Sequence, residues 1–293
     1  MAWLKLIRLP TVFTAMADIF LGFLIVSGGR FEPLREFGLL LGSSSCLYFA
    51  GMVFNDVFDV KQDTRERPHR PIPSGAVSLT SAWLFGLILM GSGVGLAALV
   101  GTPSVSIAIL IVVAVFSYDW LLKPTAFAPL AMGSCRVLNV CLGASFVETL
   151  PAVFSPPQVT AAICLGVYIT GLTWFARREA VGENKQDLVG GTIVMNIAVI
   201  GLCGLVISQS KANQWQVVGL LVFILGTIDL RLVKAIRSGQ PPDIGSGIRT
   251  ALLSLVLIDA SLVLALTASV PAAIATAALL LPASIVRRWI PLT

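Results

Sequence analysis

Residues 77–100 read VSLTSAWLFGLILMGSGVGLAALV, and no charged side chain interrupts this stretch. A second stretch, IVMNIAVIGLCGLVI at 193–207, is equally apolar. A helix rises about 1.5 Å per residue, so roughly 20 such residues cross a hydrocarbon core about 30 Å thick. The 293 residues are 56% hydrophobic and 12% charged, with a mean hydropathy of +0.91. The sequence therefore predicts a polytopic membrane protein and excludes a secreted disulfide scaffold, a disordered chain and an ordinary cytosolic enzyme.

Polar breaks divide the chain into ten candidate helices, which together predict an all-α fold in a single domain over 1–293. The candidates are 10–29, 37–58, 79–100, 104–122, 130–148, 157–178, 189–209, 214–233, 249–268 and 271–286. Three glycines of the third candidate, Gly91, Gly93 and Gly95, are expected to let a neighbouring helix approach closely.

The distribution of basic residues predicts the orientation of the chain. If the ten helices alternate in direction, Arg30, Arg35 and Lys211 are the only members of the 20 Lys and Arg residues on one side, and Arg136 falls inside a span. All others lie on the opposite side, which the positive-inside rule assigns to the cytoplasm. We therefore expect an integral protein of the cell (inner) membrane, with both termini and the larger polar loops on the cytoplasmic side.

The amino-acid composition also limits which catalytic or metal-binding sites the chain can form. The five cysteines lie inside apolar stretches without a metal-binding spacing, and His69 is the only histidine. The sequence therefore offers almost no material for a zinc site or a histidine-based triad. The net charge of +5 is spread over short loops, so we expect anionic membrane lipid rather than nucleic acid as the partner of these charges.

Oxygen-bearing side chains recur at four-residue spacing in two inner loops: Asn55, Asp59 and Asp63 in the first, and Glu179, Glu183 and Asp187 in the second. A continuing helix would stack each set on one face. Solvated helix ends are the simpler interpretation of such acids. Beside apolar walls, however, two carboxylates about 6 Å apart repel by roughly 3 kcal/mol at an effective dielectric constant of about 20. Such clusters need a cation, and ligands with oxygen alone favour Mg²⁺.

Basic residues accompany these acids: Arg65, Arg67, Arg70, Lys123, Arg177 and Arg178. Each can serve as an ordinary positive-inside residue, but arginine also binds phosphate oxygens through two hydrogen bonds. A diphosphate held between metal ions and arginines becomes a good leaving group. An apolar tail on the same substrate would lie in the membrane, so an isoprenyl diphosphate satisfies both requirements.

The segment Asn55-Asp56-x-x-Asp59-x-x-x-Asp63, followed by Arg-Pro-Ile-Pro-Ser-Gly at 70–75, resembles the first signature of the UbiA superfamily of intramembrane prenyltransferases, which includes 4-hydroxybenzoate polyprenyltransferases. The resemblance implies a transmembrane helical bundle of nine to ten spans around a central cavity. It also implies Mg²⁺ between two acidic motifs and a prenyl diphosphate donor. The polar loops near 59–78 and 179–188 would cap the site.

Carried over to this chain, the resemblance implies a metal-binding set of Asn55, Asp59 and Asp63 with Asp56 adjacent, together with Glu179, Glu183 and Asp187. Arg70 and Lys123 would lie near the diphosphate, and Lys123 follows the pair Tyr118-Asp119. The second family motif is usually D-x-x-x-D, whereas this chain has glutamate at 179 and 183. The longer side chain shifts the carboxylate in a site whose geometry is demanding.

Arg136 and Asn139 lie inside the fifth predicted span, where a charge is costly and usually faces a cavity. We expect Arg136 to meet a diphosphate oxygen or Asp119, or else to reach the interface along its own stem. Asp18 is expected to line the cavity. For Asp229 and Asp259 a role in helix packing is the expectation.

These residues predict Mg²⁺-dependent transfer of an isoprenyl group from a prenyl diphosphate to an acceptor in the membrane. The alternative is a transporter or non-catalytic lipid-binding protein on the same bundle. Related enzymes prenylate aromatic acids, quinone precursors, haem, chlorophyll precursors and glycerol or sugar phosphates, and the sequence leaves the acceptor, the prenyl length and the oligomeric state open.

Overall fold

The computed structural model describes residues 2–177, 185–209 and 214–286, and every regular element within these ranges is helical. In chain order the helices are α1 (Ala2–Leu6), α2 (Val12–Val26), α3 (Leu34–Phe58), α4 (Val60–Glu66), α5 (Leu79–Ala98), α6 (Thr102–Phe116), α7 (Ala128–Gly143), α8 (Leu150–Val153), α9 (Gln158–Ala176), α10 (Lys185–Gln209), α11 (Gln214–Ser238), α12 (Pro241–Thr267), α13 (Val270–Ala277) and α14 (Leu280–Val286). A 3₁₀ turn, Leu9–Thr11, precedes α2, and a π-helical turn, Ser117–Leu122, continues α6.

Each of the ten predicted segments contains a helix. Among the described residues, eight helices are long and apolar enough to cross a membrane: α2, α3, α5, α6 with its π turn, α9, α10, α11 and α12. The fifth predicted segment is the shorter α7, and the tenth divides into α13 and α14. The prediction of an integral membrane protein with an all-α bundle is thus confirmed.

Large apolar side chains cover the outer surface of the bundle. On α11, Phe223 and Leu230 are 70% and 75% exposed, and Ile200 on α10 is 66% exposed. Water would penalise such a surface, whereas lipid tails are as apolar as these side chains. The outward faces of α10 and α11 are therefore suited to lipid contact.

Glycine permits a close contact between α9 and α10. A Cβ atom on Gly171 would lie 2.7 Å from the Gly191 carbonyl oxygen, and one on Gly191 would lie 2.6 Å from the Gly171 carbonyl oxygen. Any larger side chain would push these helices apart. Of the three glycines expected to permit close packing, only Gly93 meets a neighbour, Leu47 of α3, while Gly91 and Gly95 have no described atom within 4 Å of an added Cβ.

Candidate functional site

A cavity of about 580 Å³ lies inside the bundle between α2, α3, α6, α7 and α9. Charged and polar side chains form one end: Arg8, Asn55, Asp59, Gln62, Arg67, Arg70, Tyr118, Asp119, Lys123 and Arg177. Apolar side chains and one glycine line much of the remaining wall: Leu47, Gly51, Met52, Ile111, Val115, Met132, Ile169 and Leu252. A second polar group also lines the cavity, and it includes the predicted Asp18: Thr14, Asp18, Ser44, Arg136 and Asn139. A substrate with a charged head and an apolar tail matches this division.

The end of α3 brings part of the first acidic segment to the cavity. α3 ends at Phe58 and α4 begins at Val60, with Asp59 between them. The backbone stays helical at Asp59, where the Asp59 amide donates to the Asn55 carbonyl at 3.1 Å and the Asp63 amide donates to the Asp59 carbonyl at 2.8 Å. Of the three predicted side chains, Asn55 and Asp59 line the cavity, and Asp63 is buried and instead binds Arg70.

Ion pairs hold the acids of this segment. Arg70 Nη1 lies 2.6 Å from Asp63 Oδ2 and 3.3 Å from Asp56 Oδ1, and Arg8 Nη2 lies 2.9 Å from the same Asp56 oxygen. Asp56 and Asp63 do not line the cavity and are only 5% and 3% exposed. Arg8, which the sequence offered only as an orientation residue, thus belongs to this network.

The π turn places three predicted side chains along the cavity. The Lys123 amide donates to the Tyr118 carbonyl at 2.9 Å, an i to i+5 bond typical of a π helix. Tyr118, Asp119 and Lys123 line the cavity, while Trp120 in the same turn is 72% exposed. The Lys123 ammonium lies 5.8 Å from the centre of the Tyr118 ring, within reach of a cation–π contact.

Two contacts connect this turn to α3. Lys123 Nζ lies 2.5 Å from Asp59 Oδ2, and the Asn55 amide nitrogen donates to Asp119 Oδ1 at 2.9 Å. Asn55 of α3 and Asp59 just after it are therefore both held by the π turn and the lysine that follows it. The sequence did not predict these two contacts, because the residues of each pair lie 64 positions apart in the chain.

Arg136 also lines the cavity, and its acidic partners are not the predicted Asp119. Its Nε lies 2.7 Å from Asp18 Oδ1 and its Nη2 lies 3.9 Å from Asp259 Oδ2, with both carboxylates fully buried. Asn139 donates to Asp18 Oδ2 at 2.7 Å. Asn139 Oδ1 accepts from Ser44 of α3 at 2.7 Å, and Ser44 precedes Asn55 by three helical turns, about 16 Å along the helix axis. The group that contains Arg136 therefore lies away from the charged end of the cavity. Arg136 therefore neutralises buried acids instead of meeting Asp119.

The second acidic segment is only partly described. Arg178, Glu179 and Glu183 lie outside the described residues. Asp187 does not line the cavity, and its Oδ1 accepts a hydrogen bond from Trp174 Nε1 at 3.0 Å. Arg177 lines the cavity and donates to the Thr125 carbonyl at 3.1 Å. Asp229, on α11, accepts from Asn196 of α10, as expected for helix packing.

The cavity offers hard oxygen donors for a divalent cation. Asn55 Oδ1 accepts no hydrogen bond from a described residue, and the Asp59 side chain is 18% exposed. Within the described ranges no three Asp, Glu, His or Cys side chains converge closely enough to hold a metal ion. Asn55 and Asp59 thus fit one side of a Mg²⁺ site, since Mg²⁺ is usually bound by few protein oxygens together with water and substrate phosphate.

Residues 15–188, more than half of the chain, match the model of the UbiA prenyltransferase family. The chain is 36% identical over 142 residues to digeranylgeranylglyceryl phosphate synthase of Metallosphaera sedula, covering 48% of this chain and 50% of that protein. It is 32% identical over 122 residues to the synthase of the same name from Sulfolobus acidocaldarius, covering 42% and 44%. The chain thus aligns with about half the length of these curated relatives.

Solved structures share the fold. A digeranylgeranylglyceryl phosphate synthase structure superposes with a TM-score of 0.65 at 18% identity, covering 92% of this chain and 98% of that one. A UbiA homologue from Aeropyrum pernix K1 gives 0.63 at 19% identity, covering 81% and 96%. A UbiA homologue from Archaeoglobus fulgidus, bound to DMAPP and Mg²⁺, gives 0.59 at 14% identity, covering 86% and 99%.

Proposed function

The chain belongs to the UbiA prenyltransferase family, and we propose that it transfers an isoprenyl group from a prenyl diphosphate to an acceptor in the membrane, with Mg²⁺ as its cofactor. One observation carries the proposal. A single cavity combines oxygen donors and cations at one end with an apolar wall along its length. A prenyl diphosphate has the same two parts.

The side chains of this chain would act by binding and by electrostatic stabilisation. Asn55 and Asp59 would hold Mg²⁺, which when bound neutralises charge on the diphosphate. Arg67, Lys123 and Arg177 would donate to diphosphate oxygens and stabilise the charge that grows there as the allylic carbon–oxygen bond breaks. The apolar wall would exclude water from the prenyl carbon, so that the acceptor captures it. Glu179 and Glu183 remain candidates for the other side of the metal site.

For the acceptor, the curated relatives suggest a starting point. They are named digeranylgeranylglyceryl phosphate synthases, so their product carries two geranylgeranyl chains on glyceryl phosphate. We propose a glyceryl phosphate lipid that already bears one such chain as the first acceptor to test, with geranylgeranyl diphosphate as the donor.

The positions of the basic residues support one orientation of the bundle in the membrane. The cations at the charged end of the cavity belong to the set that the positive-inside rule assigns to the cytoplasm. We propose that this end opens to the cytoplasm, in the cell membrane, where water-soluble diphosphate and Mg²⁺ are available.

The proposal is tested by incubating the purified protein with Mg²⁺, geranylgeranyl diphosphate and a panel of acceptors, and by identifying products by mass spectrometry. A prenylated acceptor with equimolar diphosphate supports transfer. Diphosphate binding without a product, together with flux of the intact compound into vesicles, would favour the transporter instead.

A further inference from the structure

The side-chain amide of Asn55 has two chemically different ends, and only one of them binds a cation. Its oxygen is a ligand for Mg²⁺, whereas its nitrogen carries two hydrogens and is not. Rotation by half a turn about the last bond of the side chain would exchange the two. The metal site in the proposed function therefore depends on which way this amide faces.

Asp119 fixes that direction. A carboxylate offers acceptors only, so the amide end that faces it must be the nitrogen. The Asn55 nitrogen donates to Asp119 Oδ1 at 2.9 Å, and the oxygen at the other end accepts from no described residue. The direction of the amide thus follows from the chemistry of its partner.

Asp119 forms no ion pair with a described residue, although Lys123 follows it closely in the chain. It is 8% exposed and lies in the π turn just before Lys123, yet Lys123 binds Asp59 instead. Within the described ranges, Asn55 is the only side chain to which Asp119 is hydrogen-bonded. A buried carboxylate that holds one amide is suited to orienting it.

We infer that Asp119 is a positioning residue that holds the Asn55 amide with its oxygen available to a divalent cation. The inference rests on the proposed function, because it concerns the same Mg²⁺ site. Partners that orient metal ligands in this way typically contribute about 10-fold to 100-fold in metal affinity.

A double-mutant cycle in binding tests this assignment. The readout is the Mg²⁺ dependence of binding of a non-reactive thiolodiphosphate analogue of geranylgeranyl diphosphate to the full chain in detergent. Asn55→Ala and Asp119→Ala should each raise the Mg²⁺ concentration for half-saturation by about 10-fold or more. The double variant should be no weaker than Asn55→Ala alone. Multiplied losses would make Asp119 an independent ligand, and an unchanged Asp119→Ala would remove its role; either result overturns the inference.

A reversed pair keeps the test decisive if Asp119→Ala does not fold. Asn55→Asp alone sets two carboxylates against each other, which should weaken Mg²⁺-dependent binding and lower the unfolding temperature. Adding Asp119→Asn restores one N–H···O bond with its polarity reversed and leaves a carboxylate oxygen for the cation. Binding should then return to within a few-fold of wild type. A reversed pair no better than Asn55→Asp contradicts the inference, whereas wild-type protein that binds the analogue without Mg²⁺ contradicts the proposed function itself.

Discussion

Lys123 Nζ lies 2.5 Å from Asp59 Oδ2, so the cation assigned to diphosphate and the carboxylate assigned to Mg²⁺ bind each other directly. Both side chains are partly exposed to the cavity, at 26% and 18%. The pair neutralises two opposite charges at the charged end of the cavity. It also means that each group competes with the ligand proposed for its partner.

Replacement of Lys123 by methionine should therefore have opposite effects on the two ligands. Affinity for a prenyl diphosphate should fall by about 1.5–3 kcal/mol, because a charge-assisted hydrogen bond is lost. Affinity for Mn²⁺ alone, measured by electron paramagnetic resonance, should rise, because Asp59 is released. If both affinities fall together, Lys123 supports the fold of the site instead of competing for Asp59.

Arg70 should matter for stability, since it binds two buried acids. Arg70→Met leaves Asp63 without its cation, and unpairing a buried charge costs roughly 3–5 kcal/mol. Thermal unfolding in detergent should show a clear decrease in melting temperature, and Asp63→Asn in the same chain should recover much of it. The exposed Arg65 is the matched control, because Arg65→Met should leave the melting temperature unchanged. An equal decrease for both variants would argue against a structural role for the Arg70 pairs.

The buried group of Asp18, Arg136 and Asp259 has one guanidinium for two carboxylates. Arg136→Met should destabilise the bundle by about 3–5 kcal/mol. Asp259→Asn should cost far less, because neither Asp259 oxygen accepts a hydrogen bond from a described residue. Denaturation of the two variants under the same conditions ranks them. The reverse order would show that Arg136 stabilises the bundle less than Asp259 does.

Gly51 should limit the length of the prenyl donor. It lines the apolar wall, and an added Cβ would be 3.7 Å from Val115, an ordinary contact. A longer side chain would extend into the cavity. Gly51→Leu should therefore lower kcat/KM for geranylgeranyl diphosphate by roughly 10-fold more than for dimethylallyl diphosphate, since each buried methylene contributes about 0.8 kcal/mol. Gly91→Leu, on a face with no described neighbour within 4 Å, should change neither value.

The sequence predicted the helices well because hydropathy over a whole span is a summed property. It also identified Asn55, Asp59, Tyr118, Asp119 and Lys123, all of which line the cavity. Five-residue spacing from Tyr118 to Lys123 does not reveal a π turn, however, since that conformation depends on tertiary packing. Without the turn, the contact of Asp119 with Asn55 has no signal in the sequence.

The ion-pair partners of the charged residues also could not be predicted from the sequence. Arg136 lies 118 residues from Asp18 by sequence and belongs to a different helix, so any acid inside a span was a possible partner. Arg8 had the character of an orientation residue, but the 3₁₀ turn after it directs its guanidinium to Asp56. Partners on separate helices are decided by which faces pack together, and apolar periodicity does not specify that uniquely.

Release of diphosphate in a single turnover tests the proposed function most directly. Purified protein in excess over labelled geranylgeranyl diphosphate, with Mg²⁺ and the glyceryl phosphate acceptor, should release diphosphate with wild type and with Glu66→Ala, whose carboxylate is exposed on α4. Asp59→Ala should release at least about 100-fold less, and excess chelator should abolish release by wild type. Equal release by Asp59→Ala, or undiminished release in chelator, would contradict a Mg²⁺-dependent transfer at this cavity.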